Sequence, residues 1–184
     1  DEDIYNKVIE EADKAHETDK PFFDFVMTTS NHKPYTYPEG KIDIPSGTGR
    51  NGAIKYTDYT IGEFLKAART KPWFKNTVFV IMSDHCASSA GRWELDVQNY
   101  HIPALIYNLP NSKSRKIEKL SSQIDMFPTL FAMLGWDYET NLFGKNILDM
   151  KPEDERAFIG NYRKLGFLKD NKVVVLGDRK TANF

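Results

Sequence analysis

Residues 76–85 read Asn-Thr-Val-Phe-Val-Ile-Met-Ser-Asp-His and contain the clearest strand signal of the sequence. Its apolar part, residues 77–83, has the length and β-branched content of a strand. A continuous apolar run, without polar alternation, is typical of a central strand that is covered on both faces. The run ends in Asp84 and His85, so we predict a buried strand that delivers two polar side chains at its carboxyl end.

Other predicted elements surround this strand. Apolar residues at helical spacing predict helices over residues 3–17, 52–70 and 122–134, the last ending at Gly135. Apolar runs predict strands at residues 22–29 and 102–107, and residues 167–168 and 173–176 are two further strand candidates. The order of strand, helix, strand, loop, strand and helix is an α/β pattern, so we predict a mainly parallel sheet flanked by helices. The last two runs, joined by a turn-like Lys169-Asp170-Asn171, predict a small antiparallel pair at the C-terminal end.

The composition restricts the class of protein. A formal net charge of -1 provides no general field for nucleic acid or for an anionic membrane. No apolar stretch approaches the roughly 20 residues that span a bilayer. The single cysteine, Cys86, excludes an internal disulfide framework and a cysteine-rich zinc site. Because the sequence opens at Asp1 in a charged, helix-like stretch, we expect a piece of a larger protein.

Asp84 and His85 are the main candidates for chemistry. A carboxylate oxygen and a neutral imidazole nitrogen are good ligands for zinc or manganese. Neighbouring side chains in a strand point to opposite faces, so the two converge on one ion only if the chain turns there. The alternative is that Asp84 caps a following helix and His85 is an ordinary polar residue.

Three more residues are candidates for binding an anionic oxygen. His32 lies in the loop after the first predicted strand, at the sheet edge where α/β proteins bind ligands. Arg92, in the loop after Asp84, can clamp a phosphate or sulfate oxygen, unless it only pairs with Glu94. His101 enters a strand, so it lies either at the strand's N-terminal end or on a loop that folds back over the site. Structural roles are the alternative for both histidines.

Five stretches, in order, resemble motifs of the lipoteichoic-acid-synthase-like (phosphoglycerol transferase) proteins of the sulfatase/alkaline phosphatase superfamily. They are Ser30–Tyr35 (SNHKPY), Lys55–Gly62 (KYTDYTIG), Asn76–His85 (NTVFVIMSDH), His101–Tyr107 (HIPALIY) and Gln123–Leu130 (QIDMFPTL). The later Phe143-Gly144 fits the family's downstream order, so the resemblance spans roughly residues 20–148 and is far more specific than any single motif.

The resemblance implies an alkaline-phosphatase-like α/β fold that ends in a small antiparallel sheet, with residues 1–150 as the α/β part and 151–184 as a β subdomain. It implies one divalent metal, Mn or Zn, held by Asp84 and His85. His32 would contact the phosphoryl group of an anionic phosphodiester or sulfate ester, and His101 matches a histidine of one branch of the family.

The resemblance also implies what the sequence lacks. The family's nucleophile and a further acidic metal ligand lie upstream, so we expect the C-terminal portion of a catalytic domain with no catalytic nucleophile and, by itself, no activity. The Cys86 context lacks the proline of a formylglycine site, so we exclude that role. The whole protein would transfer phosphoryl groups at the extracytoplasmic face of a bacterial membrane, anchored through an N-terminal region.

Two alternatives stay open. One keeps the fold and changes the substrate, giving a sulfatase or a phosphoethanolamine transferase. The other is an inert piece that binds metal or a partner, and that self-associates because half a sheet leaves an uncovered apolar face and an open edge.

Overall fold

A computed structural model describes residues 1–87, 95–177 and 181–183. The chain divides into two compact units, residues 1–77 and residues 78–184. The helices of the described ranges include none that is both long and apolar enough to cross a membrane.

The first unit is built on two helices, α1 (Glu2–Glu17) and α2 (Arg50–Ala68). Both were predicted from apolar spacing, and both are confirmed to within two residues at each end. The 3₁₀ helix Pro72–Asn76 follows α2. Its buried Trp73 donates from Nε1 to the Asp13 carboxylate of α1 at 2.7 Å. This bond and the packing of Trp73 join the start and the end of the unit.

The long loop between the helices of the first unit packs on α2 through aromatic rings. Tyr37 stacks on Tyr56 with ring centroids 4.9 Å apart, and both side chains are buried. Gly52 allows this approach, because a Cβ at that position would lie 2.1 Å from the Tyr37 hydroxyl. The loop is therefore an ordered part of the unit.

The predicted strand over residues 22–29 is not confirmed. The structure describes this stretch in full and assigns no strand to it. Phe23, Phe25 and Met27 alternate along it with side chains 74%, 75% and 62% exposed. The apolar run that predicted a buried strand thus presents a row of large apolar side chains to solvent.

The second unit opens with β1 (Phe79–Met82) and β2 (Ala104–Tyr107). The two strands pair antiparallel, with Phe79 opposite Tyr107 and Met82 opposite Ala104. The prediction of a mainly parallel sheet is therefore wrong for the described residues, in which every strand pair is antiparallel. A parallel pair needs a long crossover, usually a helix. The described part of the connection between β1 and β2 contains only the 3₁₀ helix Val97–Tyr100.

The predicted third helix has two parts. The 3₁₀ helix Gln123–Asp125 leads into α3 (Met126–Met133). Gly135 follows with φ of 69°, the left-handed conformation that ends many helices at glycine. The predicted end of this helix is confirmed.

The predicted C-terminal antiparallel sheet is confirmed and is larger than the sequence indicated. Its strands, in spatial order, are β3 (Ala157–Gly160), β4 (Leu165–Lys169), β5 (Lys172–Leu176) and β6 (Ala182–Asn183). Asp170 and Asn171 form a two-residue turn with φ of 51° and 58°. That conformation matches the twist of the hairpin strands and suits Asp and Asn.

Candidate metal centre at the end of strand β1

Asp84 and His85 lie just beyond the carboxyl end of β1, where the chain leaves the ladder. Their side chains are 73% and 76% exposed. Asp84 Oδ2 and His85 Nε2 lie 3.4 Å apart. The chain therefore turns at this point, and two side chains that would diverge in a strand converge instead.

Local hydrogen bonds leave one donor atom of each side chain facing the other. The His85 backbone N–H donates to Asp84 Oδ1 at 2.8 Å, which leaves Oδ2 toward the imidazole. His85 Nδ1 lies 2.7 Å from the Cys86 carbonyl oxygen. Because a carbonyl only accepts, Nδ1 carries the proton and donates it there, so the lone pair of the neutral ring is on Nε2. Metal-binding histidines commonly show this pattern, with the other ring nitrogen donating to a carbonyl.

The spacing of these two donor atoms fits a divalent metal. Ligand atoms about 2.0–2.1 Å from a tetrahedral ion lie about 3.3–3.4 Å from each other. The Oδ2–Nε2 distance of 3.4 Å matches that edge. Across the ranges 1–87, 95–177 and 181–183, no three His, Cys, Asp or Glu residues are grouped to hold a metal. The described residues thus offer Asp84 and His85 as two candidate ligands.

The antiparallel pairing also places His101. The Ser83 backbone N–H donates to the Pro103 carbonyl at 3.2 Å, which extends the β1–β2 pairing by one step. The start of β2 therefore lies at the same end of the hairpin as Asp84. His101 is exposed and lies just before that start, so it is at the N-terminal end of its strand and at the same end of the strand pair as Asp84 and His85. In a parallel sheet these two positions would lie at opposite ends.

His32 lies in the first unit, in a turn over residues 30–34, and is exposed. Its Nδ1 lies 3.2 Å from the Lys33 carbonyl, and its own carbonyl accepts from the Tyr35 N–H at 2.7 Å. Arg92 and its alternative partner Glu94 lie outside the described residues. The substrate-binding roles of His32, Arg92 and His101 remain predictions.

Comparisons with known proteins identify the family. The sulfatase family profile matches residues 1–136. The chain belongs to the sulfatase family. This confirms the resemblance found in the sequence motifs.

Relatives of this sulfatase-family chain include lipoteichoic acid synthase 2 of Bacillus subtilis, 25% identical over 161 residues, with 76% of this chain and 25% of that protein covered. Phosphoglycerol transferase I of Salmonella choleraesuis is 30% identical over 125 residues, covering 67% of this chain and 16% of that protein. The chain thus spans about a quarter or less of the length of these relatives.

A solved structure agrees with the fold. A protein in the alkaline phosphatase superfamily from Vibrio parahaemolyticus superposes with a TM-score of 0.89 at 38% identity. The alignment covers 98% of this chain and 45% of the other. The chain therefore has the fold of the corresponding part of that superfamily member.

One residue beside the candidate metal centre was not predicted from the sequence. The Gln123 side-chain amide donates from Nε2 to the Ser83 carbonyl at 3.1 Å and to the Asp84 carbonyl at 2.7 Å. Nothing in the local sequence indicates this contact, because about 40 positions separate the partners. Only the packing of the sulfatase-family fold brings them together.

A buried ion pair anchors the segment that carries Gln123. Arg156 donates from both terminal nitrogens to the Asp125 carboxylate, at 2.7 and 2.8 Å. The backbone N–H groups of Ser122 and Lys145 donate to the same carboxylate, each at 2.8 Å. Ser122-x-x-Asp125 is a capping-box sequence, which is the one local signal for this site.

Proposed function

We propose that this chain contributes the Asp84-His85 half of a metal site to an enzyme that transfers phosphoryl groups from phosphodiesters, of the phosphoglycerol transferase type. The observation that carries the proposal is the 3.4 Å approach of Asp84 Oδ2 to His85 Nε2 at a strand end. The sulfatase family membership and the lipoteichoic acid synthase and phosphoglycerol transferase relatives support the reaction class.

The two side chains have separate parts in holding a divalent Mn or Zn ion. Asp84 supplies Oδ2, because its other carboxylate oxygen, Oδ1, already accepts a hydrogen bond from the His85 backbone N–H. His85 supplies Nε2, and the bond from its Nδ1 to the Cys86 carbonyl keeps the ring in the required tautomer and orientation. When bound, such an ion polarises a phosphoryl oxygen and lowers the pKa of a hydroxyl nucleophile.

In this proposal the nucleophile and the remaining ligands belong to other parts of the whole protein, and this chain alone is inactive. The coverage of relatives supports the idea, since 45% of the Vibrio parahaemolyticus structure corresponds to the chain. Exposed apolar side chains support it too. Leu105 of β2 is 54% exposed, and Val80 and Met82 of β1 are each 36% exposed. Apolar side chains of strands in the interior of a complete domain are normally more buried than this.

The substrate in this proposal is an anionic phosphodiester, such as a lipid head group, outside a bacterial cytoplasmic membrane to which the whole protein is anchored. His32, Arg92 and His101 are proposed to bind the substrate's anionic oxygens. The chain is proposed to comprise an α/β part, residues 1–150, and a β subdomain, residues 151–184.

The proposal is tested by metal content and activity of the full-length protein. We expect Asp84→Ala and His85→Ala to remove bound Mn²⁺ or Zn²⁺ and to abolish cleavage of a phosphatidylglycerol donor. Asp137→Ala is the matched control, because Asp137 is an exposed aspartate elsewhere in the second unit. Unchanged metal content and activity in Asp84→Ala would refute the proposed site.

Substrate assays separate the open alternatives. Parallel assays with a sulfate ester and with a phosphatidylethanolamine donor distinguish a sulfatase and a phosphoethanolamine transferase from the proposed enzyme. Gel filtration of the 184-residue chain tests self-association, and a monomeric elution would contradict the self-associating alternative.

A further inference from the structure

The amide of Gln123 holds the backbone on both sides of Asp84. Its Nε2 lies 3.1 Å from the Ser83 carbonyl oxygen and 2.7 Å from the Asp84 carbonyl oxygen. Since both partners are acceptors, only the NH₂ end of the amide can face them, which fixes the orientation of the side chain.

These two carbonyls belong to the two peptide planes that flank the Asp84 Cα. Fixing both planes restricts both backbone dihedrals of Asp84, the residue at which the strand must turn for its side chain to meet that of His85. The two hydrogen bonds therefore restrict the backbone at the turn that brings the Asp84 and His85 side chains together.

Gln123 is itself held on a rigid support. It opens the 3₁₀ helix Gln123–Asp125, in which Asp125 is fully buried and paired with Arg156. The preceding Ser122 accepts from the Phe158 N–H of β3 at 2.7 Å. The residues on either side of Gln123 are thus held by Phe158 of β3 and by Arg156, which directly precedes β3, while the Gln123 side chain reaches the carbonyls that follow β1.

We propose that Gln123 is a positioning residue for the metal pair, holding the turn at Asp84 so that Asp84 Oδ2 and His85 Nε2 share one ion. This inference rests on the proposed function and extends it to a residue that contacts neither the ion nor the substrate. Residues that orient metal ligands typically change metal affinity by about 10-fold to 100-fold when they are replaced.

The test is a Mn²⁺ titration of the full-length protein, followed by the electron paramagnetic resonance signal of free Mn²⁺. Gln123→Met keeps the length of the side chain and removes the amide. We expect it to weaken Mn²⁺ binding about 10-fold. Gln98→Met is the matched control at the chain's other glutamine, which is exposed, and it should bind as the wild type does. Asp84→Ala should not bind at this site.

The melting temperature of each metal-free protein separates positioning from general stability. We expect metal-free Gln123→Met to melt with the wild type, because the lost bonds are solvent-exposed. Wild-type affinity in Gln123→Met, with binding lost in Asp84→Ala, would overturn the positioning role and leave the proposed function intact. A lower melting temperature with unchanged affinity of the folded protein would also overturn it. Wild-type affinity in Asp84→Ala would instead overturn the proposed function.

Discussion

Two aspartates of the second unit, Asp84 and Asp125, lie in opposite environments. Asp125 is fully buried, and its two oxygens accept from both terminal nitrogens of Arg156 and from two backbone N–H groups. Asp84 is 73% exposed, and its second oxygen faces the imidazole of His85 at 3.4 Å. One aspartate, Asp125, thus stabilises the fold, whereas the carboxylate of the other, Asp84, is accessible to a ligand.

The difference shows why a carboxylate must be left incompletely bonded to bind an ion. Four protein donors saturate Asp125, so any further ligand would have to displace one of them at the cost of a buried, uncompensated charge. Among the residues that the structure describes, the Asp84 carboxylate accepts one backbone N–H, that of His85 on Oδ1, while Oδ2 faces the His85 imidazole. The two sites are also connected, because Gln123 lies two residues before Asp125 and holds the backbone at Asp84.

The largest effect should come from comparing alanine substitutions at the two aspartates. Asp125→Ala leaves the buried Arg156 without its partner, which typically costs about 3–5 kcal/mol of unfolding free energy. Asp84→Ala removes an exposed side chain and should change stability by less than about 0.5 kcal/mol. Urea denaturation without metal measures both.

Equal losses of unfolding free energy in the two variants would contradict the proposed difference between the buried Asp125 and the exposed Asp84. Circular dichroism of each variant before denaturation is the control, since Asp125→Ala must be folded for its unfolding free energy to be measured.

An intermediate effect is expected at Gly144, which precedes the Lys145 N–H donor to Asp125. A Cβ on Gly144 would lie 1.9 Å from the Ile124 carbonyl oxygen and 3.1 Å from Pro128 Cγ. Gly144→Ala must therefore move the backbone that supplies the donor, and overpacking of this kind costs about 1–3 kcal/mol. Thermal or urea unfolding measures the loss.

Gly62→Ala is the matched control for the glycine prediction. Gly62 lies in α2 with nothing within 4 Å of its added Cβ. Its replacement should stabilise the helix by up to about 1 kcal/mol. A Gly144→Ala protein as stable as the wild type would show that the turn beside Asp125 is loosely packed.

The smallest effect is a difference in pH dependence. Burial by itself raises the pKa of Asp125, but the hydrogen bonds from Arg156 and from the Ser122 and Lys145 N–H groups outweigh it and hold that pKa below its usual value. A depressed pKa in the folded state gives stability that is complete above the unfolded value, about 3.9, and is lost as the pH falls through the folded value.

Asp125→Asn has no carboxyl to titrate at this position, so its unfolding free energy should fall less steeply below about pH 4 than that of the wild type. Urea denaturation over an acidic pH series tests this. Other carboxylates with a lowered pKa, such as Asp13 and Asp154, titrate in both proteins and cancel in the difference. Parallel pH profiles would contradict the assignment.

Much of the secondary structure was predictable because its signals are local. Apolar spacing located α1 and α2, and the Asp170-Asn171 turn indicated a hairpin. The four-residue strands β1 and β2 were predictable because they lie within longer apolar runs, residues 77–83 and 102–107. The strand β3 is equally short but lies between Arg156 and Asn161, without such a run, and it was not predicted.

The failures have a common physical cause. An apolar run predicts burial in a sheet but does not say which strands pair or in which direction. Residues 22–29 have the composition of a strand and are assigned none, and β1 and β2 pair antiparallel where a parallel sheet was predicted. The pairing of strands depends on the connections between them and on partners distant in sequence, which the composition of a single apolar run does not indicate.

Two features of this protein can be recognised without its structure: the adjacent Asp84 and His85 at the end of an apolar run, and the family to which the chain belongs. Both depend on contiguous stretches of sequence. Three other features depend on the tertiary structure: Asp84 and His85 converge, His101 lies at the same end of the β1–β2 pair, and Gln123 donates to the carbonyls on both sides of the Asp84 Cα. These relations require a chain reversal and contacts across about 40 positions, and such geometry is set by packing rather than by local sequence.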